Sequence, residues 1–155
     1  MTEDKERTTD FLTSVLKNAR ASDAERYLNE YSDRLVPESG AFTEYVRGLF
    51  RNHGVRQQDV FLLADIPERY GYKLVSGEKT TQRRDVLLRI FFAAGFSLDE
   101  VQHALKLYGM PELYPRFPRD AVLIIAVNSG LTDPYDVDDL LDAHGMPPLT
   151  VCGSD

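Results

Sequence analysis

Two segments in the C-terminal half of this chain repeat one another, and the repeat restricts the fold more than any other feature. The first segment, RDVLLRIFFAAGFS from Arg84, resembles RDAVLIIAVNSGLT from Arg119 at an offset of 35 residues. After one inserted residue, VQHALKLYGMPEL from Val101 resembles VDDLLDAHGMPPL from Val137 at an offset of 36. Each copy carries apolar residues at helical spacing on both sides of a glycine. The repeat therefore predicts two tandem helical hairpins, each burying an apolar face against the other.

The first hairpin can be predicted in more detail. Its first helix is expected from about Gln82 to Ala94, and Gly95 ends it. Ser97 and Glu100 have the spacing of a capping box, which predicts the start of the second helix. The residues expected on the buried face of the first helix are Val86, Leu87, Ile90, Phe91 and Ala94.

Helical periodicity also dominates the rest of the chain, and no segment alternates apolar and polar residues as a strand would. Ser22 with Glu25 matches a capping box that would open a second helix after one over residues 9–20. After the break VPESG, a third helix is expected from about Ala41 to Asn52. We therefore predict an all-α fold of about nine helices. Its three parts would be an N-terminal helical arm (1–40), a core that includes the first hairpin (41–114), and the second hairpin with the tail (115–155).

The formal net charge of −7 argues at first against nucleic acid, because neutralisation of phosphates supplies much of the affinity for DNA. The charge is unevenly distributed, however. Residues 47 to 89 contain five Asp or Glu and nine Lys or Arg: Arg47, Arg51, Arg56, Arg69, Lys73, Lys79, Arg83, Arg84 and Arg89. Nine minus five leaves +4 in this window and −11 in the remainder. The asymmetry favours nucleic-acid binding over a uniformly acidic interaction protein.

Several other classes of protein find no support in the sequence. No segment is apolar enough to predict a membrane helix, and the charged N-terminus does not resemble a signal peptide. The single cysteine, Cys152, fits a reducing cytoplasm, so we expect a cytoplasmic protein. His53, His103 and His144 lack the spacing of metal ligands, and no motif for catalysis or for a cofactor is present. We therefore predict no enzymatic activity, no metal and no cofactor.

The stretch QQDVFLLADIPERYGYKLVSG, from Gln57 to Gly77, predicts two short helices joined by a tight turn. The first would extend to Asp65, with Val60, Leu63 and Ala64 on one apolar face. Proline cannot continue a helix but suits the first turn of the next one, so Pro67 separates the two. The second would run from Glu68 to Val75, and Gly77 stands where a left-handed residue usually ends a helix. Together they form a helix-turn-helix candidate.

This stretch resembles the lambda-repressor/Cro-type (XRE) helix-turn-helix family. The residues in register with the family pattern are Gln57, Val60, Ala64, Ile66, Leu74 and Gly77. The loop after Gly77 and the apolar helix RRDVLLRI also match, so the resemblance covers about residues 43–105. It implies a lambda-repressor-like core and a sequence-specific transcriptional regulator that binds double-stranded DNA as a homodimer.

Two departures from the family pattern stand together. The family's small residue in the first helix is Phe61 here, and the apolar β-branched residue that it normally touches is Gly71. A large-for-small exchange at one position and a small-for-large exchange at the other conserves volume. We therefore hypothesise that Phe61 packs over the Cα of Gly71 and preserves the crossing of the two helices. Val75 also replaces a Glu that usually precedes the ending of the motif.

The resemblance also assigns roles by position. Arg69 could donate to guanine O6 and N7, and Glu68 could accept from cytosine N4. Gln57 matches a position that usually orients on a phosphate at the helix N-terminus. The residues expected at the major groove are Glu68, Arg69, Tyr70, Tyr72 and Lys73; Gln57, Lys79 and Arg83 would contact the backbone. Arg84 could add a backbone contact, but its repeat partner Arg119 lies outside the motif, which favours a structural role.

An alternative reading is a helical protein-interaction module that uses the same scaffold without binding DNA. The total charge is acidic, and residues 68–73 carry a net charge of only +1, from two basic residues and one acidic residue. The final helix, DPYDVDDLLDAH, holds five Asp, which makes it a poor DNA contact and a plausible contact for a protein. The second hairpin would set association together with the N-terminal arm, and it could supply a surface for self-association or for a protein partner.

Overall fold

The computed structural model describes residues 2–35 and 38–149, and its secondary structure over these residues is helical, without strands. The predicted all-α fold is confirmed for this part of the chain, whereas Cys152 lies outside the described residues. The helices are α1 (Thr2–Asn18), α2 (Ala24–Glu30), α3 (Glu38–Asn52), α4 (Gln57–Ala64), α5 (Glu68–Ser76), α6 (Arg84–Ala94), α7 (Leu98–Tyr108), α8 (Pro118–Asn128) and α9 (Pro134–Ala143). A 3₁₀ turn over Ala21–Asp23 precedes α2.

Two predicted helix starts had different outcomes. The capping box at Ser97 is present, since its hydroxyl accepts from the backbone N–H of Glu100 and the Glu100 carboxylate accepts from the N–H of Ser97. The box predicted at Ser22 is wrong. There the carboxylate of Asp23 accepts from the backbone N–H of Arg20 at 2.9 Å, so the polar residue one position later closes the turn.

Helix α6 is the centre of the fold and contacts α4, α7 and α9. It begins at Arg84, two residues later than predicted. Every residue from Val86 to Ala94 is buried, including Arg89. A helix that is apolar on all sides packs inside a protein rather than at its surface. The buried surface is therefore wider than the single face that the periodicity predicted.

The two hairpins are joined by a reciprocal pair of ion pairs. Arg84, at the start of α6, donates to the Asp120 carboxylate, with Nη1 3.2 Å from Oδ2. Arg119, at the start of α8, donates to Asp85, with Nη1 and Nη2 3.1 and 3.0 Å from the two carboxylate oxygens. Each hairpin thus gives one arginine and receives one from the other. This exchange explains why the Arg-Asp dipeptide recurs, and it confirms the structural role considered for Arg84.

Each arginine also binds the loop that ends its own hairpin. Nη1 of Arg84 lies 3.4 Å from the carbonyl oxygens of both Pro111 and Glu112. Arg119 repeats this contact, at 3.1 and 3.0 Å, with the carbonyls of the two prolines that follow Met146. In addition α6 contacts α9, and α7 contacts α8. The hairpins therefore pack against each other as a closed pair, as the repeat predicted.

The N-terminal arm is much less buried than the rest. Phe11 on α1 packs edge-on against Tyr31, with ring centroids 5.9 Å apart, and Tyr31 packs against Tyr27 at 5.1 Å. The guanidinium of Arg34 lies over both Phe11 and Tyr31. The large apolar side chains that remain exposed on the arm are Phe11, Leu16, Leu28 and Leu35. None of the described helices has the length and the apolar character needed to span a membrane.

Candidate nucleic-acid interface

The α4–α5 pair consists of two short helices joined by three residues. Asp65 ends α4 in the left-handed conformation, with φ 57° and ψ 45°. It is the one non-glycine residue with positive φ in the described part of the chain. The N–H of Ile66 then donates to the carbonyl of Phe61 at 3.0 Å, which closes the helix end. Pro67 follows, and α5 begins at Glu68.

The two helices meet where Phe61 packs over Gly71. A Cβ built on Gly71 would lie 2.6 Å from ring atoms of Phe61, which is closer than van der Waals contact allows. Both residues are buried, and the ring of Phe61 also meets Tyr72 edge-on at 5.2 Å. The hypothesis of a compensating pair is therefore confirmed. The apolar face predicted for α4 needs one correction, because Phe61 is buried with Val60 and Ala64 whereas Leu63 is 39% exposed.

The outward face of α5 is formed by a subset of the residues that the resemblance assigned to the major groove. Glu68, Arg69 and Tyr72 are exposed, and Lys73 is half-buried. Tyr70 is half-buried too and packs against the hydrophobic core. The structure thus brings four of the five residues to the open side of the helix, and it gives Tyr70 a packing role.

The charges on this face are mixed. Partial burial and the neighbouring carboxylate of Glu68 raise the pKa of the Tyr72 hydroxyl. On α4, Asp59 accepts from Nε of Arg56 at 2.9 Å, and this hydrogen bond raises the pKa of the arginine. The charge of Arg56 is therefore offset by its neighbour. Glu68 places a further negative charge at the start of α5.

The basic window predicted from the sequence separates into two groups. Arg56 is paired with Asp59, Arg84 is paired with Asp120, and Arg89 is buried. These three do not add free positive charge to the surface. The other basic residues of this window have exposed or half-buried side chains: Arg47, Arg51, Arg69, Lys73, Lys79 and Arg83.

Several of these residues surround the C-terminal end of α5. Arg47 and Arg51, one turn apart on α3, line a groove of about 350 Å³ together with Glu44 and Ser76. The hydroxyl of Thr43 donates to the carbonyl of Val75 at 2.6 Å and so ties α3 to the last turn of α5. The backbone N–H of Lys79 donates to the carbonyl of Lys73 at 3.0 Å, which holds the following loop against the same helix end.

Arg47 was not among the predicted site residues. The signal that could have found it is its spacing of four from Arg51 on a predicted helix, which puts both guanidinium groups on one face. The residues predicted to touch the DNA backbone are placed differently. Lys79 and Arg83 are exposed, whereas Gln57 is half-buried and its amide Oε1 is buried without a hydrogen-bond partner among the described residues.

Comparison with family models, with curated protein sequences and with solved structures finds no match for this chain.

Proposed function

We propose that this protein is a sequence-specific DNA-binding regulator of the XRE type, in which the α4–α5 pair is a lambda-repressor-like helix-turn-helix. The observation that carries the proposal is the outward face of α5. Arg69, Lys73 and Tyr72 project from a short helix whose other side is anchored to α4 by the contact between Phe61 and Gly71. An α-helix of this kind fits the major groove of B-DNA.

Each exposed side chain of α5 suits a different atom of the duplex. The guanidinium of Arg69 can donate two hydrogen bonds to O6 and N7 of guanine, and the carboxylate of Glu68 can accept from N4 of cytosine. The hydroxyl of Tyr72 can donate to a phosphate oxygen. Lys73 supplies a positive charge three residues before Ser76, the residue of α5 that lines the groove.

The basic residues beside α5 support contact with the phosphate backbone. Arg47 and Arg51 on α3 line the groove beside Ser76 at the C-terminal end of α5, and Lys79 lies in the loop that is held against the same helix end. Phosphate contacts position a protein on the duplex and make its affinity depend on salt. Arg83 is exposed four residues after Lys79 and would extend the set of residues that contact the backbone.

Selection from random duplex DNA tests this proposal. Wild-type protein should enrich one sequence and lose affinity steeply as the salt concentration rises. Arg69→Ala should relax the preference at one base pair, by about 1–3 kcal/mol. The matched control is Arg116→Ala, because Arg116 is an exposed arginine in the loop before α8. It should leave the enriched sequence unchanged.

A protein-interaction module is the second candidate, and exposed leucines on α4 favour it. Leu62 is 81% exposed and Leu63 is 39% exposed. The segment 57–77 holds two basic and three acidic residues, which leaves a net charge of −1. An absence of salt-dependent binding to any duplex at low ionic strength would favour this candidate over the regulator.

Homodimerisation is part of the proposal, because two-fold operators are bound by two-fold proteins. The exposed apolar residues of the arm, such as Leu16 and Leu28, are candidates for the contact between two copies. Sedimentation of the intact protein tests this point. A dimer that Leu28→Glu dissociates would support the arm as the contact, and a monomer at every concentration would contradict dimerisation.

A further inference from the structure

One buried charge links the second hairpin to the α4–α5 pair. Arg89 on α6 is only 1% exposed. Its Nε donates to the carbonyl oxygen of Ala64, the last residue of α4, at 2.8 Å. The last carbonyls of a helix have no donor within the helix, and the helix dipole favours a cation beside them. Arg89 therefore caps α4 immediately before the turn that leads into α5.

The rest of the Arg89 guanidinium faces α9. Its Nη1 lies 4.0 Å from Oδ2 of Asp138, and its Cζ lies 5.9 Å from the centre of the Tyr135 ring. Neither Nη1 nor Nη2 has a hydrogen-bond partner among the described residues. A buried charge with so few partners is unfavourable unless an opposite charge compensates it. The position of α9, which carries that opposite charge, is therefore coupled to the cap on α4.

Tyr135 provides a second link between α9 and the turn. Its hydroxyl donates to Oδ2 of Asp65 at 2.8 Å. Asp65 is the residue with positive φ that ends α4, and L-residues other than glycine rarely adopt this conformation. The hydrogen bond from α9 therefore helps to hold the strained residue on which the reversal between α4 and α5 depends.

The two hairpins differ at the positions that form this junction. The Arg-Asp dipeptide that joins the hairpins is the same in both copies. In contrast, the residues that reach the α4–α5 pair differ from their counterparts in the other copy. The equivalent positions are Arg89 and Ile124, Asp99 and Tyr135, and Gln102 and Asp138.

Asp138 makes one contact that its counterpart Gln102 also makes and one that Gln102 does not make. Gln102 accepts a hydrogen bond from the backbone N–H of Leu113 at 2.7 Å in the first hairpin. Asp138 accepts the equivalent hydrogen bond from Leu149 at 2.8 Å and, in addition, faces Arg89 with its other oxygen. The loop contact is therefore common to both hairpins, while the charge that faces the core belongs to the second hairpin alone.

We propose that the second hairpin positions the helix-turn-helix surface by fixing the turn between α4 and α5 through Arg89, Tyr135 and Asp138. Loss of these contacts then changes how α5 is presented. The inference rests on the proposed function for its consequence at DNA. The mechanical link between α9 and the turn can be tested without DNA.

Amide hydrogen exchange on the full-length chain tests the link. Tyr135→Phe removes the hydroxyl that binds Asp65, and Asp138→Asn removes the charge that faces Arg89 while keeping an acceptor for Leu149. Each variant should speed exchange within residues 64–71 by about fivefold, since a local hydrogen bond or ion pair is lost. The amides of α3 and α7 should keep their wild-type rates. Tyr114→Phe is the matched control, because this exposed tyrosine lies in the loop before α8.

The outcomes separate this inference from the DNA-binding proposal. Unchanged exchange in residues 64–71 would overturn the inference, and so would a uniform rise along the chain, which would indicate general destabilisation only. The same preparations are then mixed with random duplex DNA at low salt. If exchange responds as expected but the wild type binds no duplex, the link stands and the DNA-binding proposal fails. If the wild type binds DNA and exchange does not respond, the DNA-binding proposal stands and the link between α9 and the turn fails.

Discussion

The arginines of the two hairpins and the basic residues of α5 occupy opposite environments. Arg84 and Arg119 each bind a carboxylate of the other hairpin and two carbonyl groups of their own loop. On α5, Arg69 is exposed and Lys73 is half-buried, and neither forms an ion pair with another residue that the structure describes. The first two hold the fold together, whereas the second two are available to a partner. The environment of a basic side chain therefore tells more about its role than the local charge does.

The largest expected effect comes from removing a carboxylate between the hairpins. Asp120 is 4% exposed and accepts from Arg84 and from the backbone N–H of Tyr114. Asp120→Ala leaves an arginine without its partner, so we expect the free energy of unfolding to fall by about 3–5 kcal/mol. Urea denaturation measures the change. Asp85→Ala, at the more exposed equivalent position, should cost less, and an equal or smaller cost at Asp120 would contradict this account of the junction.

The α4–α5 pair depends instead on a steric contact. Phe61→Ala should lower the free energy of unfolding by about 3–4 kcal/mol, because it leaves a cavity in the core. Gly71→Val should cost about 1–3 kcal/mol, since the new side chain meets the ring of Phe61. In the double variant Phe61→Ala with Gly71→Val, the larger residue fills part of the cavity. We therefore expect the double variant to lose less free energy of unfolding than the two single variants lose together. Strict additivity of the two losses would contradict the steric contact between Phe61 and Gly71.

At the α5 face the expected effect is on binding alone. Arg69→Ala should change the free energy of unfolding by less than about 0.5 kcal/mol, because an exposed side chain without an ion pair contributes little to stability. The preference of the Arg69→Ala variant for one base pair of the selected duplex should weaken by about 1–3 kcal/mol. Denaturation and competition binding on one preparation measure the two quantities. A loss of stability comparable to that of Asp120→Ala would show that Arg69 stabilises the fold as Arg84 and Arg119 do, and would contradict its assignment to binding alone.

The smallest effect concerns alkaline pH. The hydrogen bond to Asp65 raises the pKa of the Tyr135 hydroxyl. A raised pKa in the folded state means that this contribution to stability is constant below about pH 10, the ordinary tyrosine pKa, and is lost as pH rises through the folded value. Tyr135→Phe should remove this part of the alkaline decline. Unfolding curves at neutral and alkaline pH measure it, and an identical decline in both proteins would contradict the contact.

The sequence predicted the features that depend on local spacing. The repeat implied two packed hairpins, and the departures at Phe61 and Gly71 implied a compensating contact that the structure contains. The charge of residues 47–89 gave less information about the surface, because Arg56 and Arg84 are paired with carboxylates and Arg89 is buried. Spacing alone does not reveal which carboxylate an arginine meets.

The junction between α9 and the turn was not predictable in the same way. Tyr135 and Asp65 are 70 residues apart, and no local pattern connects them. Arg89 carried one usable signal, since it is a charge within the apolar run of α6. Its partners could be identified only once α4, α6 and α9 were placed together.

The most direct test of the central claim is the salt dependence of binding to the selected duplex, followed by fluorescence anisotropy. The wild type should lose affinity linearly on logarithmic axes, and Lys79→Ala should reduce the slope by about 1 because one phosphate contact is lost. Arg116→Ala, the exposed control, should leave the slope unchanged. Binding that is absent or insensitive to salt would contradict the claim that α5 and its basic surroundings form a DNA-binding surface. A slope that Arg116→Ala reduces as much as Lys79→Ala would contradict it too.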